Sequence, residues 1–389
     1  MFKLSPRRNL LRVSVATGLL LIACSDRVKP PAVDNENPTP APGFNPSGGD
    51  ASTGSPTCVV PDAGPPLADA ALPEVCGCFD FPFQGDPINV YFVLDRSGSM
   101  LADDKWGTIR VATSKLVGSI GARAKFGATI YPLQECTAGE EVMPLTLGDF
   151  PPRKGGPVAL QFIASTNVPA SGGTPTAPTL TKLLPKLRGL QGKTVVILAT
   201  DGGPNCNEDA ACDVTTCTLN IDSIGDCRPN QTPDCCLDSR RSCLDSEPML
   251  AAIRQYKAEG IDVYVVGVPG SEPYANLLDQ AAAAGGTARD GSPKYYRVDN
   301  TDTTAFESTI RKAAGIATAN CTLRLGATPS NPGRLNVYLD DQVVTKEPFN
   351  GWTLSGDTIE LVGSSCQRLK DGDALGVRVV AGCPTVELL

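Results

Sequence analysis

YFVLDRSGSM, residues 91–100, is an apolar run that stops abruptly at an acid and two serines. Ile88 and Val90 precede Tyr91, Phe92, Val93 and Leu94 without an intervening charge, which predicts a strand buried on both faces in the middle of a parallel sheet. Asp95, Ser97 and Ser99 then fall at alternate positions, and Gly98 permits a tight bend. Their oxygens are therefore expected to converge in a loop at the strand end. One carboxylate and two hydroxyls are hard ligands, better suited to Mg²⁺ or Mn²⁺ than to a soft metal.

Outward from this stretch, strands and amphipathic helices alternate from about 87 to 316. Trp106, Ile109, Leu116, Val117 and Ile120 recur at helical spacing, and 126–131 reads as the next strand. A short strand at 141–147 and a helix over 179–190 follow. The runs 194–199 and 261–267 read as further central strands, and 295–298 as an edge. Helices are expected over 248–259, 273–284 and 304–314. This order predicts an α/β fold, a doubly wound and mostly parallel sheet with ligands at the carboxyl ends of its strands. After 316 the texture changes to short alternating or apolar runs separated by turn clusters, which predicts a small all-β module. Asp371-Gly-Asp373 within it reads as a hairpin turn rather than a calcium loop, because the other spaced ligands are missing.

The beginning of the chain has a different character. Residues 1–23 carry a basic start and an apolar run of secretory signal length, ending in Leu21-Ile-Ala-Cys24. That ending resembles the lipobox of bacterial lipoproteins, which implies cleavage and lipidation at Cys24. An ordinary signal peptide with a chance cysteine is the alternative. Ser25 after the cysteine implies, by the same resemblance, an outer-membrane address. Residues 24–75 are rich in Pro, Ala, Gly and Asp and poor in large apolar side chains, as in a disordered tether. The expected domains are thus 1–23 signal, 24–75 tether, 76–320 α/β domain and 321–389 β module.

The net charge is −8, and loss of Lys3, Arg7, Arg8 and Arg12 with the signal makes the mature chain four charges more acidic. Nucleic acid and acidic surfaces are poor partners for such a chain. There is no histidine, which excludes Ser-His and Cys-His nucleophiles and histidine zinc sites. No G-x-S-x-G surrounds Ser97 or Ser99, and Ser171-Gly-Gly lacks the lysine of a phosphate loop.

Asp95-Arg-Ser97-Gly-Ser99 resembles the DxSxS signature of von Willebrand factor type A (vWA) domains. Two further motifs of that family follow in order: Ser171-Gly-Gly-Thr174 before a helix, and Ala199-Thr-Asp201-Gly at the end of a central strand. The resemblance spans about 87–316 and implies a metal-ion-dependent adhesion site. Ser97 and Ser99 would coordinate Mg²⁺ (or Mn²⁺) directly, Thr174 directly or through water, and Asp95 and Asp201 mostly through waters and hydrogen bonds. Thr176 rivals Thr174. A cation with few anionic ligands seeks a carboxylate from a partner, which implies binding of a protein or another carboxylate-bearing ligand and no catalysis. The bland alternative keeps the fold, with the serines merely capping the following helix.

Of 15 cysteines, Cys24 is the lipidation candidate, and the rest are expected to form disulfides in an oxidising compartment. Seven of them (Cys206, Cys212, Cys217, Cys227, Cys235, Cys236 and Cys243) crowd an insert over 204–245, where the family usually runs straight into a helix. Zinc is the competing explanation, against which the irregular spacing speaks. Cys136 follows the second strand and is expected to bond to the insert beside the metal site. Cys76 or Cys78 is expected to clasp Cys321, as the ends of this fold lie close together, leaving Cys366 with Cys383. Such a clasp would restrict the last helix and make the domain a largely fixed binder. The functional expectation is a lipid-anchored envelope protein, periplasmic or surface-exposed, that touches the membrane through its anchor only. The alternative is an envelope scaffold using the insert and the β module.

Overall fold

The computed structural model describes residues 79–84, 87–210, 212 and 243–387. The signal, Cys24, the tether, Cys76, Cys78, Cys217, Cys227, Cys235 and Cys236 lie outside the described residues. Two short strands, β1 (Phe79–Asp80) and β2 (Phe83–Gln84), lead into β3 (Ile88–Asp95). There follow α1 (Lys105–Ile120), β4 (Ala124–Tyr131), β5 (Glu140–Leu147), α2 (Pro157–Ser165), α3 (Thr176–Leu187) and β6 (Thr194–Thr200). Next come α4 (Ser246–Ala258), β7 (Asp262–Gly267), α5 (Ala275–Ala284), β8 (Tyr296–Arg297) and α6 (Thr303–Thr318). The last part holds β9 (Thr322–Leu325), β10 (Leu335–Leu339), β11 (Gln342–Val344), β12 (Trp352–Ser355), β13 (Thr358–Leu361), α7 (Gly363–Lys370) and β14 (Val377–Ala381).

The fold is the expected α/β class, a six-stranded sheet of order β5-β4-β3-β6-β7-β8. Every neighbouring pair is parallel except β4 and β5. Pro144 lacks an amide donor, and β5, at the sheet edge, tolerates it. β3 lies centrally, and its side chains alternate between two cores. Val90, Phe92 and Leu94 pack with Trp106, Phe162 and Phe306, from α1, α2 and α6. Tyr91 and Val93 pack with Leu180, Tyr256 and Leu278, from α3, α4 and α5. The buried Tyr91 hydroxyl is satisfied by Thr129 Oγ1 and by donation to Glu141 Oε1, each at 3.0 Å. Helix α2 was not anticipated, because its short Pro-Val-Ala-Leu-Gln-Phe-Ile run has no complete apolar stripe.

The β module is more than the C-terminal segment. β1, β14, β10 and β11 form one antiparallel sheet, and β12, β13, β9 and β2 form another. Both contribute to one core around Phe81, Leu325, Val337, Trp352 and Val379. The strands at 79–84, expected at the head of the α/β domain, thus pair with strands from beyond its end. The α/β domain is inserted into the module, entered after β2 and left just before β9, which pair at Phe83 with Leu325. Asp80 and Arg378 add a two-pronged ion pair, both contacts at 3.0 Å.

Three expectations for this region need correction. Cys321 bonds to Cys366, tying the start of β9 to α7 within the module, so Cys321 is not clasped to Cys76 or Cys78 and Cys366 is not paired with Cys383. The domain ends are held by strand pairing instead. Asp371-Gly-Asp373 joins α7 to β14 and is not a hairpin turn. The last helix, α6, is tied to the module: Arg311 Nη2 lies 2.8 Å from Asp340 Oδ2. A Cβ on Gly315 would fall 2.3 Å from the Gly372 Cα, so only glycine lets α6 approach this closely.

Phe92 is fully buried and meets Phe162 edge-on at 5.6 Å between ring centroids. Phe92→Ala is expected to cost about 3–5 kcal/mol in urea denaturation, because it removes the ring from between two packed layers.

Candidate metal centre

The three quoted motifs meet at the carboxyl ends of β3 and β6. Asp95 ends β3 and is fully buried. Its Oδ1 accepts the Ser97 amide at 2.8 Å, and its Oδ2 accepts the Thr200 hydroxyl at 2.6 Å. Ser97 Oγ and Ser99 Oγ lie 3.0 Å apart, and Ser99 donates to Asp201 Oδ1 at 2.8 Å. Since the Ser99 proton goes to Asp201, the proton between the serines must come from Ser97. Asp95, Ser97, Ser99 and Asp201 therefore form one hydrogen-bonded cluster, in which the first three converge as their spacing suggests and Asp201 stands where the family resemblance implies.

The loop bearing Thr174 is lashed to the first motif by two backbone bonds, Ser171 N to Arg96 O at 2.7 Å and Gly98 N to Gly172 O at 2.8 Å. Gly172 has a φ of 85°, and a Cβ there would lie 2.4 Å from the Glu135 carbonyl oxygen. The close pass of this loop against the one after β4 therefore requires glycine. The Thr174 backbone is gripped at both ends by Asn205, whose Oδ1 accepts its amide at 2.6 Å and whose own amide donates to its carbonyl at 3.0 Å. Thr176, the rival of Thr174, donates its hydroxyl back to the Thr174 carbonyl at 3.4 Å.

The insert is fastened to this face. Cys136 bonds to Cys206, with Cα atoms 5.3 Å apart, and Cys206 adjoins Asn205. The expected link from Cys136 to the insert is thus present. Cys212 bonds to Cys243 at 5.7 Å between Cα atoms. Gly173 fits between: a Cβ there would meet Cys206 Sγ at 2.5 Å.

Three side chains that the sequence did not mark complete the arrangement. Arg96, between the aspartate and the first serine, donates Nη2 to Leu133 O at 2.6 Å and Nη1 to Pro169 O, bracing the loops on both sides. Lys105, the first residue of α1, is buried with its Nζ on Asp201 Oδ2 and on Pro269 O at 3.0 Å. Asn205 holds Thr174 as described. The Ser-Gly-Ser bend was legible because its oxygens are local in sequence. Lys105 and Asn205 act on residues 96 and 31 positions away, for which the sequence carries no local signal.

Burial, followed by the neighbouring charge of Asp201, pushes the Asp95 carboxyl up to about 7, while hydrogen bonds from Thr200 and Ser97 pull the other way. The donor set is entirely oxygen, and a buried carboxylate of this kind gains from a nearby cation. These residues fit a hard divalent ion.

No protein-family model matches the chain, and no curated protein matches it. Solved structures do. The pilus adhesin SpaC from Lactobacillus rhamnosus GG is 16% identical, with a TM-score of 0.44 over 80% of this chain and 42% of that one. The PilB minor pilin from Streptococcus sanguinis is 16% identical, with a TM-score of 0.40 over 61% of this chain and 63% of that one. A von Willebrand factor type A protein from Catenulispora acidiphila is 14% identical, with a TM-score of 0.38 over 78% of this chain and 58% of that one. The chain thus spans less than half the length of SpaC.

The raised Asp95 carboxyl has a consequence for stability. A folded-state value of about 7 against 3.8 means that the folded protein holds this proton more tightly than the unfolded chain. The stabilisation is complete below the unfolded value and is lost as pH rises through the folded one. Without divalent cations, stability is expected to fall between about pH 4 and pH 7 and then to level off. Asp95→Asn should remove that decline and raise the melting temperature above neutral pH, which thermal melts in chelator across this range would check.

Proposed function

We propose that the α/β domain is a vWA-type binding domain that engages a partner through Mg²⁺ or Mn²⁺. The observation that carries this reading is the hydrogen-bonded cluster in which Asp95 accepts the Ser97 amide, Ser97 Oγ meets Ser99 Oγ, and Ser99 donates to Asp201. Ser97, Ser99 and Thr174 would hold the ion, and Asp95 and Asp201 would steady them from behind. When bound, the ion supplies an electron-poor acceptor for a partner carboxylate. The chain's own residues set the geometry: Arg96 and Asn205 fix the loops, and the Asp95 and Asp201 carboxylates orient the segments that carry the serines. Leu101, 62% exposed just after the motif, offers an apolar contact beside the site. No histidine is present to activate a serine, and both carboxylates are engaged in holding the serine segments, so the reading is binding rather than catalysis.

In this reading the protein is anchored by a lipid at Cys24 in the bacterial envelope. Among the described residues no helix is long and apolar enough to cross a membrane. A scaffold role through the β module is the second reading, favoured by Phe349, 77% exposed beside a cavity of about 520 Å³ lined by Lys346, Glu347, Trp352 and Glu387.

Calorimetric titration of the mature chain with Mn²⁺ tests the first reading. Wild-type protein should bind one ion, and Ser97→Ala should weaken binding at least about tenfold. Ser119→Ala, which removes a hydroxyl bonded within α1, should leave it unchanged. Equal affinity in wild type and Ser97→Ala would remove the metal mechanism. Capture of an envelope partner that survives chelator and Ser97→Ala but is lost in Phe349→Ser would favour the scaffold.

A further inference from the structure

Lys105 stands where electrostatics disfavours an ammonium. It is the first residue of α1, at the positive end of the helix dipole. It is also only 6% exposed, so its charge is largely stripped of water. Two acceptors offset these costs: Asp201 Oδ2 and the Pro269 carbonyl. The loop after β7 leaves room for the ammonium at Gly270, which has a φ of 103° and whose Cβ would lie 3.3 Å from Nζ. Asp201 is thereby shared, one oxygen on Ser99 and the other on Lys105.

We infer that Lys105 is a built-in counter-cation that sets the charge of the metal centre. This rests on the metal reading above and adds to it the residue that sets the charge of the loaded site. In the ion-loaded centre Asp95 and Asp201, both ionised, supply two negative charges, and Lys105 cancels one of them. A divalent ion then leaves the loaded centre with a net positive charge, which attracts an anionic ligand such as a carboxylate. Without Lys105 the two carboxylates would balance the ion. The ion would be held more tightly, and the attraction for a carboxylate would fall. Lys105 thus exchanges affinity for metal against affinity for an acidic partner. Its position on Asp201 Oδ2, the oxygen that does not accept from Ser99, lets it remain in place while the ion is bound.

The test uses the mature chain, with Mn²⁺ and acetate as probes. Mn²⁺ affinity is read by calorimetry, and acetate binding by the loss of water-proton relaxation enhancement at the bound ion. Lys105→Met should bind Mn²⁺ on the order of tenfold more tightly than wild type and respond more weakly to acetate. Lys105→Arg keeps the charge and should resemble wild type in both readouts. Thermal melts establish that each variant folds, and Lys105→Gln decides the matter if the Met variant does not. Unchanged or weaker Mn²⁺ binding in the folded neutral variants, with wild-type binding intact, would overturn the role of Lys105. Absence of Mn²⁺ binding in the wild type would instead overturn the metal reading and this inference with it.

Discussion

Asp95 is a fully buried carboxyl group at the end of the central strand, and the surrounding loops are arranged to hold it. One oxygen is bound by the amide of its own turn and the other by Thr200 at the end of the neighbouring strand. Those two bonds set the Asp95-Arg-Ser97-Gly-Ser99 loop against the end of β6, where Asp201 waits for Ser99. The sheet contributes rigidity: β3 is paired along its length with β4 on one side and β6 on the other, and each of its faces is covered by helices. A site on the ends of such strands moves little, which suits a cluster whose oxygens must stay within hydrogen-bond reach of one another.

The other organising feature is the insertion of the α/β domain into the β module. The chain enters and leaves the domain through paired strands β2 and β9. The last helix is further tied to the module through Arg311 and Asp340, and through the close pass of Gly315 at Gly372. A disulfide clasp between the ends is unnecessary in this arrangement, and the cystine at Cys321 instead braces the module internally. Restriction of the last helix, expected from a clasp, has a different physical basis: backbone pairing and packing.

How much of this the sequence carries depends on how local each signal is. The run from Ile88 to Leu94 is continuous and apolar, so its burial on both faces could be read directly, and the acid and serines after it are close enough to converge without knowledge of the fold. Thr174 and Asp201 were legible only through the order of three motifs. Lys105 looks like any charged residue at the start of a helix, because its burial is created by the loop at Pro269, far away in sequence. β1 and β2 are two residues each, too short for any periodicity to register, so their membership in the β module appears only when their partners are known. The Cys136 link was deducible because strand order placed it on the site face, whereas the Cys321 link follows from the position of α7, which was not foreseen.

The proposed binding mode requires a divalent ion seated among these oxygens. A crystal of the mature chain grown with Mn²⁺, measured for anomalous scattering at the manganese edge, tests it most directly. The account predicts a single strong peak bounded by the hydroxyls of Ser97 and Ser99 and on the Thr174 side of the cluster. A peak elsewhere, or none at full Mn²⁺ loading with these residues well ordered, would contradict it.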